Sequence, residues 1–170
     1  MLHVAPEAFF REFFSQRFGR YETADLKMKS ADHIVDLQHL PFEDNTSDFF
    51  YASHVLEQVP DDRKAISEIR RILRPNGMAM LPVPIYAEKT VECSEPDPHE
   101  FGHVRAPGLD YFDRYERYFA KVERSGSGSQ PEKYQVFIYR DNSHLSKTEY
   151  PWPSPMQCEK LTDVVPVCYV

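Results

Sequence analysis

Between Pro6 and Gly19 the apolar residues Phe9, Phe10, Phe13 and Phe14 recur at i, i+1, i+4 and i+5, the spacing of one helical face. Pro6 suits a first helical turn and Gly19 ends it, so the stretch PEAFFREFFSQRF predicts a helix. A second and clearer helix is predicted over Pro60 to Gly77. There Ala65, Ile66, Ile69, Ile72 and Leu73 form the stripe, Asp61 or Asp62 supplies a cap, and Arg70, Arg71 and Arg74 suit the C-terminal end of the dipole. Around these helices lie short runs that read as strands: LHVA (2–5), YETADL (21–26), HIVDL (33–37), FFYASHV (49–55) and MAMLPVPI (78–85). Strands alternating with helices imply an α/β fold with a largely parallel sheet. Beyond residue 85 the pattern loosens. Residues 86–108 read as a long loop, LDYFDRYERYF (109–119) as a helix, and AKVER and YQVFIYR as an antiparallel hairpin around the flexible SGSGSQPEK. Residues 1–140 then form one domain, and 141–170 a proline-containing tail available to cross between two copies of the chain.

Composition narrows the functional classes. With 170 residues the chain suits one domain. A net charge of −7 without a Lys/Arg cluster argues against a nucleic-acid partner, which needs a basic footprint. Cys93, Cys158 and Cys168 are odd in number and widely spaced, so neither a disulfide framework nor a cysteine zinc site is expected, and a reducing cytoplasm is the simplest setting. No run approaches the roughly 20 apolar residues of a membrane span, and no signal peptide opens the chain.

One string, HEFGH (99–103), spells the zinc-protease pattern, in which two histidines one helical turn apart bind a metal. Its context is unsuited to a helix: Pro96 and Pro98 precede it, Gly102 lies inside it, and Pro107-Gly108 follow. A zinc hydrolase using His99, Glu100 and His103 is therefore a remote alternative, and no metal is expected.

A stronger signal is spread over residues 2–85. DLQHLPF (36–42), SHVLEQ (53–58) and EIRRILRPNG (68–77) follow one another in one block. In order and spacing they resemble D-x-x-x-L-P-F, S-x-x-V-L-E-H and E-x-x-R-x-L-[KR]-P-G-G of the class I S-adenosylmethionine-dependent methyltransferases that act on small molecules. The resemblance implies a Rossmann-like fold with a mostly parallel twisted sheet and an antiparallel hairpin on the C-terminal side. It implies S-adenosyl-L-methionine as cofactor and a small-molecule methyl acceptor as partner. By it, Asp25 holds the cofactor ribose, Asp36 and Leu37 bracket the adenine, and Ser53 and His54 face the methionine part and the acceptor. His54 is the candidate for positioning or deprotonating the acceptor, with His103, Arg105 and Tyr111 lining its pocket.

The first motif departs from the family. Where a glycine-rich turn lets the methionine moiety approach the backbone, this chain reads LHVAPEAF. It resembles an H-[VI]-A-P-E variant in which Ala5, Pro6 and Glu7 form the turn and Glu7 meets the cofactor's ammonium group. His3 stands where an acid is usual. The chain opens on its first strand, so a lid helix ahead of it is expected to be missing. Only Lys27 to Asp32 separate the second and third strands, fewer than the dozen or so residues of a crossover helix. A homodimer is expected to cover what this exposes. The same departures keep a second reading open, a degenerate methyltransferase-like protein acting as a non-catalytic binding or scaffold subunit.

Overall fold

The computed structural model describes residues 1–85, 87–97, 102–126, 137–139, 160–162 and 164–170. Its elements are β1 (Leu2–Val4), α1 (Ala8–Ser15), β2 (Glu22–Asp25), β3 (His33–Ile34), β4 (Ser47–Ala52), α2 (Asp62–Ile72), β5 (Leu73–Met80), β6 (Val91–Asp97), β7 (His103–Ala106), β8 (Lys121–Gly126), β9 (Phe137–Tyr139), β10 (Lys160–Thr162) and β11 (Val164–Tyr169). Two 3-10 helices occur among the described residues, Leu56–Gln58 after β4 and Leu109–Arg117 before β8. The main sheet runs β3-β2-β1-β4-β5-β11-β8. Its first five strands are parallel, and β11 enters antiparallel between β5 and β8. The strand order therefore reverses between β1 and β4, the switch point at which open α/β sheets leave a crevice beyond their strand ends.

The two helices divide the aromatic and aliphatic cores. On α1, Phe14 packs with Phe10 and Phe18 against Met1, Phe49 and Tyr51, while Phe9 faces solvent. On α2, Asp61 accepts the Lys64 amide at 3.0 Å, and Ala65, Ile66, Ile69 and Ile72 join the larger core with Tyr111, Phe112 and Tyr115. At about 25 cal/mol per Å² removed from water, each buried Ile contributes roughly 1.5–3 kcal/mol.

Polar clamps do the work that crossover helices do elsewhere. In the short β2–β3 connection, the Asp32 carboxylate accepts the Thr23 amide at 2.8 Å and its hydroxyl at 2.7 Å. These bonds hold the Asp32 carboxyl below the usual range. Between β3 and β4, Arg71 donates to the carbonyls of Leu40 (3.0 Å) and Phe42 (2.8 Å), and Glu68 accepts the Leu40 amide. Arg71 is thus a brace for this connection as well as a partner of Asp44 and Glu68.

Several expectations are corrected. α2 runs into β5 without a loop, and the strand holds Pro75-Asn76-Gly77 as a bulge, Ser47 pairing Leu73 and Phe49 pairing Met78. Gly77 is needed there, since a Cβ would lie 3.0 Å from the Arg74 carbonyl oxygen. Leu81 to Ile85 are buried but leave the sheet, because Pro82 and Pro84 lack the amides a ladder requires. The HIVDL strand shortens to His33–Ile34. Within the expected loop, Val91–Asp97 and His103–Ala106 pair as the antiparallel strands β6 and β7. Among the described residues, AKVER does not pair with YQVFIYR: β8 pairs β11, and β9 pairs β10. The chain end is therefore not a free tail over 164–169. Its alternating apolar positions pair with β8 along six residues, and Pro166 lies just outside the stretch that also pairs with β5. Residues 141–159, Trp152 included, fall outside the described residues.

Candidate functional site

A cavity of about 390 Å³ opens at the C-terminal ends of β1, β2 and β4. Ala5, Asp25, Asp36, Leu37 and His54 line it, together with Lys27, Gln38 and Gln58. Five of the residues assigned to cofactor binding from sequence thus meet on one surface. Pro6, Glu7 and Ser53 do not line that cavity.

The turns that carry these residues are strained in a consistent place. Ala5 (φ 49°) and His54 (φ 54°) both occupy the left-handed region, immediately beyond β1 and β4, the two strands of the switch point. A side chain there costs roughly 1–2 kcal/mol. The Ala5 amide bonds the Ala24 carbonyl and the His54 amide the Pro82 carbonyl, both at 2.9 Å, which fixes the two turns. Such strain concentrates at functional sites.

The acids are already engaged. Asp25 Oδ1 accepts the amides of Lys27 and Met28, each at 2.7 Å, closing the turn after β2 and leaving Oδ2 outside it. Asp36 Oδ1 accepts the Gln38 amide at 2.9 Å, and Gln38 Nε2 reaches both carboxylate oxygens. The Gln38 backbone bond, then its side-chain bonds, hold the Asp36 carboxyl below the usual range. Gln38 also accepts the Asp61 amide, tying this wall to the cap of α2. Its role was not foreseen, although it lies inside the D-x-x-x-L-P-F string.

Glu7 has turned away from the cavity. Its carboxylate lies 2.9 Å from Nε2 of the buried His3, whose Nδ1 is 2.9 Å from the Tyr21 hydroxyl. His3 and Glu7 are therefore one paired unit beneath the turn, which explains why they occur together in HVAPE.

The acceptor-side residues lie deeper. Arg105, only 2% exposed, donates to the carbonyls of Leu56 (2.5 Å), Val59 (2.7 Å) and Pro60 (2.9 Å) and to Glu92 (3.0 Å). Tyr111 is buried with its hydroxyl 2.7 Å from Asp62, and desolvation raises its phenol well above the usual value. Arg114 bridges Asp62 and Glu92. This knot fastens the β6–β7 hairpin to the 3-10 turn beside the cavity. His103 is buried at the start of β7. His99 and Glu100 lie outside the described residues, and among the described residues no group of three metal-ligating side chains converges. No helix among them is long and apolar enough to cross a membrane.

Residues 5–81 match the family model of a methyltransferase domain. Over 62 residues the chain is 37% identical to the demethylmenaquinone methyltransferase of Staphylococcus epidermidis, a stretch covering 36% of this chain and 25% of that relative. The match thus spans about a quarter of the relative's length. In fold the chain is similar to one in the complex between the Haloferax volcanii Trm112 methyltransferase activator and a methyltransferase (TM-score 0.63, 15% identity, 99% of this chain and 80% of that one). It is also similar to the Burkholderia thailandensis 1,6-didemethyltoxoflavin-N1-methyltransferase, solved with 1,6-didemethyltoxoflavin and S-adenosylhomocysteine bound (TM-score 0.62, 11% identity, 99% and 70%). Residues 5–81 are thus similar to the methyltransferase domain family, and the chain shares the Rossmann-like α/β fold of these solved methyltransferases.

Proposed function

We propose that the protein binds S-adenosyl-L-methionine at the β1–β4 switch point and transfers its methyl group to a small molecule in the cytoplasm. The observation that carries this reading is the convergence of Ala5, Asp25, Asp36, Leu37 and His54 on one cavity beyond the strand ends. Its volume falls within the 300–1,000 Å³ typical of ligand pockets. The residues fit the cofactor: Asp25 Oδ2 accepts from ribose hydroxyls, Leu37 and Val35 give an apolar wall for the adenine, and Asp36 reads its amino group once Gln38 Nε2 swings aside. When bound, the cofactor supplies an electrophilic methyl on a sulfonium sulfur. The chain's own part is to align the acceptor, exclude water and receive a proton. His54, exposed on the cavity rim, positions the acceptor. The exposed Phe9 and Phe13 on α1 suit burial against a second copy, and light scattering that finds only monomer removes that part.

The scaffold reading rests on one observation, that Ala5 carries a Cβ into the turn while Glu7 is held by His3. Thermal denaturation with and without S-adenosylhomocysteine separates the two. A rise in midpoint with ligand supports the transferase; an unchanged midpoint at millimolar ligand supports the scaffold.

A further inference from the structure

Gln38 is held at both ends of its carboxamide on the wall of the cavity, beside Asp36 and Leu37. The nitrogen donates to Asp36 Oδ1 at 3.0 Å and to Oδ2 at 3.1 Å, while the oxygen accepts the Asp61 amide at 3.1 Å. The Gln38 backbone amide adds a bond to Oδ1 at 2.9 Å. These contacts hold the Asp36 carboxyl below its usual range, so it is ionised at neutral pH and the bonds to it are charge-assisted.

The donor that Asp36 holds has a particular chemistry. Nε2 is a planar NH2 group on an sp2 carbon, as is the exocyclic amino group of adenine. Asp36 therefore already takes, from its own chain, the kind of donor that it reads on the cofactor in the methyl-transfer reading. The oxygen end ties this contact to a second part of the wall. Asp61 follows Pro60, which lines the cavity, and its own carboxylate caps α2 through the Lys64 amide at 3.0 Å. The next groups along the segment are committed elsewhere, His39 to Lys64 and the Leu40 amide to Glu68. The exchange at Asp36 thus falls to Gln38.

Resting on the methyl-transfer reading, we propose that the Gln38 carboxamide is an internal competitor for the adenine subsite, which the cofactor displaces from Asp36 on binding. The apparent affinity is then that of the open subsite, reduced by the fraction of chains in which Gln38 has left it. Displacement also withdraws Oε1 from the Asp61 amide, so cofactor binding is felt at the start of α2. The contact is selective as well. A ligand gains from the exchange only where its own donor replaces the one it removes, which favours a base with an amino group over one with a carbonyl oxygen there.

Calorimetric titration with S-adenosylhomocysteine compares the unmodified chain with Gln38→Ala and Gln38→Met. Methionine keeps the bulk of the side chain and removes the donor. Both variants are expected to bind roughly three- to tenfold more tightly, the factor lost to a competing bond of this kind. In the unmodified chain, saturating ligand is expected to shift the Gln38 side-chain amide and the Asp61 backbone amide in NMR spectra. Equal or weaker binding by both variants overturns the proposal, and so does tightening in the alanine variant alone, which reports only the loss of bulk. Gln38 side-chain resonances that stay in place at saturation overturn it whatever the variants do. Binding by the unmodified chain with no gain in the variants removes the competitor alone. If neither the unmodified chain nor either variant binds the ligand, the methyl-transfer reading falls and the competitor with it.

Discussion

Asp36, on the segment after β3, and the turn after β4 that carries Glu57 form two parts of the cavity wall, and the surroundings of the two acids push them in opposite directions. Asp36 is half-buried and accepts bonds from its own turn and from the Gln38 amide, which favours the carboxylate. The Glu57 carboxylate oxygens have no hydrogen-bond partner among the described residues, and burial favours the acid. The contrast shows what sets a carboxyl's charge here: bonds from Gln38 favour the Asp36 carboxylate, and desolvation favours the Glu57 acid.

The largest change is expected from removing Arg105, which holds the turn that carries Glu57. Arg105→Ala removes the donor shared by the carbonyls of Leu56, Val59 and Pro60, and with it a cation that acts on Glu57. A loss of about 3–5 kcal/mol in urea denaturation is expected. A loss under 1 kcal/mol would mean that the hairpin is not held by this knot.

Next comes the pH dependence of stability, where the two acids separate cleanly. The Glu57 carboxyl is raised to about 8 in the folded chain from an ordinary value of 4.5, so the folded state holds its proton longer. Its contribution is therefore full below 4.5, declines as pH rises from 4.5 to about 8, and is flat above. Asp36 is lowered in the folded chain, so its contribution is present above its ordinary value of 3.8 and is lost as pH falls through the folded value. Glu57→Gln should flatten the alkaline decline and leave the acid limb intact. A variant with the same slope as the unmodified protein between pH 5 and 8 would show that Glu57 is not the buried acid described.

Smaller effects sharpen each wall. Ala5→Gly relieves the left-handed turn at φ 49° and should stabilise the chain by about 1 kcal/mol while widening the methionine end of the cavity. Unchanged or reduced stability would place the strain elsewhere. Gln38→Ala should cost about 1 kcal/mol and bring the Asp36 carboxyl back toward its ordinary value, as read by NMR.

How much of this was legible in the sequence differs between the same walls. Asp25, Asp36, Leu37 and His54 were assigned through the family resemblance, which short local strings carry, and local strings survive folding in order. The parallel strands and α2 were equally plain, since Ile66, Ile69 and Ile72 keep a helical period. β11 was not, because its place between β5 and β8 is a pairing across about ninety residues that no local pattern states. The β6–β7 hairpin was hidden by the prolines and glycines that flank it. No local pattern marks Glu57 as buried, since glutamates usually face solvent, and Arg105 and Tyr111, read as pocket residues, lie buried in a polar knot. Burial of a polar residue follows from what packs over it, here β7 and the second 3-10 helix, and both come some fifty residues later in the chain.

The most direct test of the account is a calorimetric titration with S-adenosylhomocysteine of the unmodified chain and of Asp25→Asn. Asparagine keeps the oxygen that caps the Lys27 and Met28 amides but replaces Oδ2 with a donor, so the turn survives while the ribose acceptor is lost. Binding of micromolar order in the unmodified chain, weakened about tenfold or more in the variant, is the predicted result. No binding, or equal binding by both proteins, would contradict a cofactor site at the β1–β4 switch point.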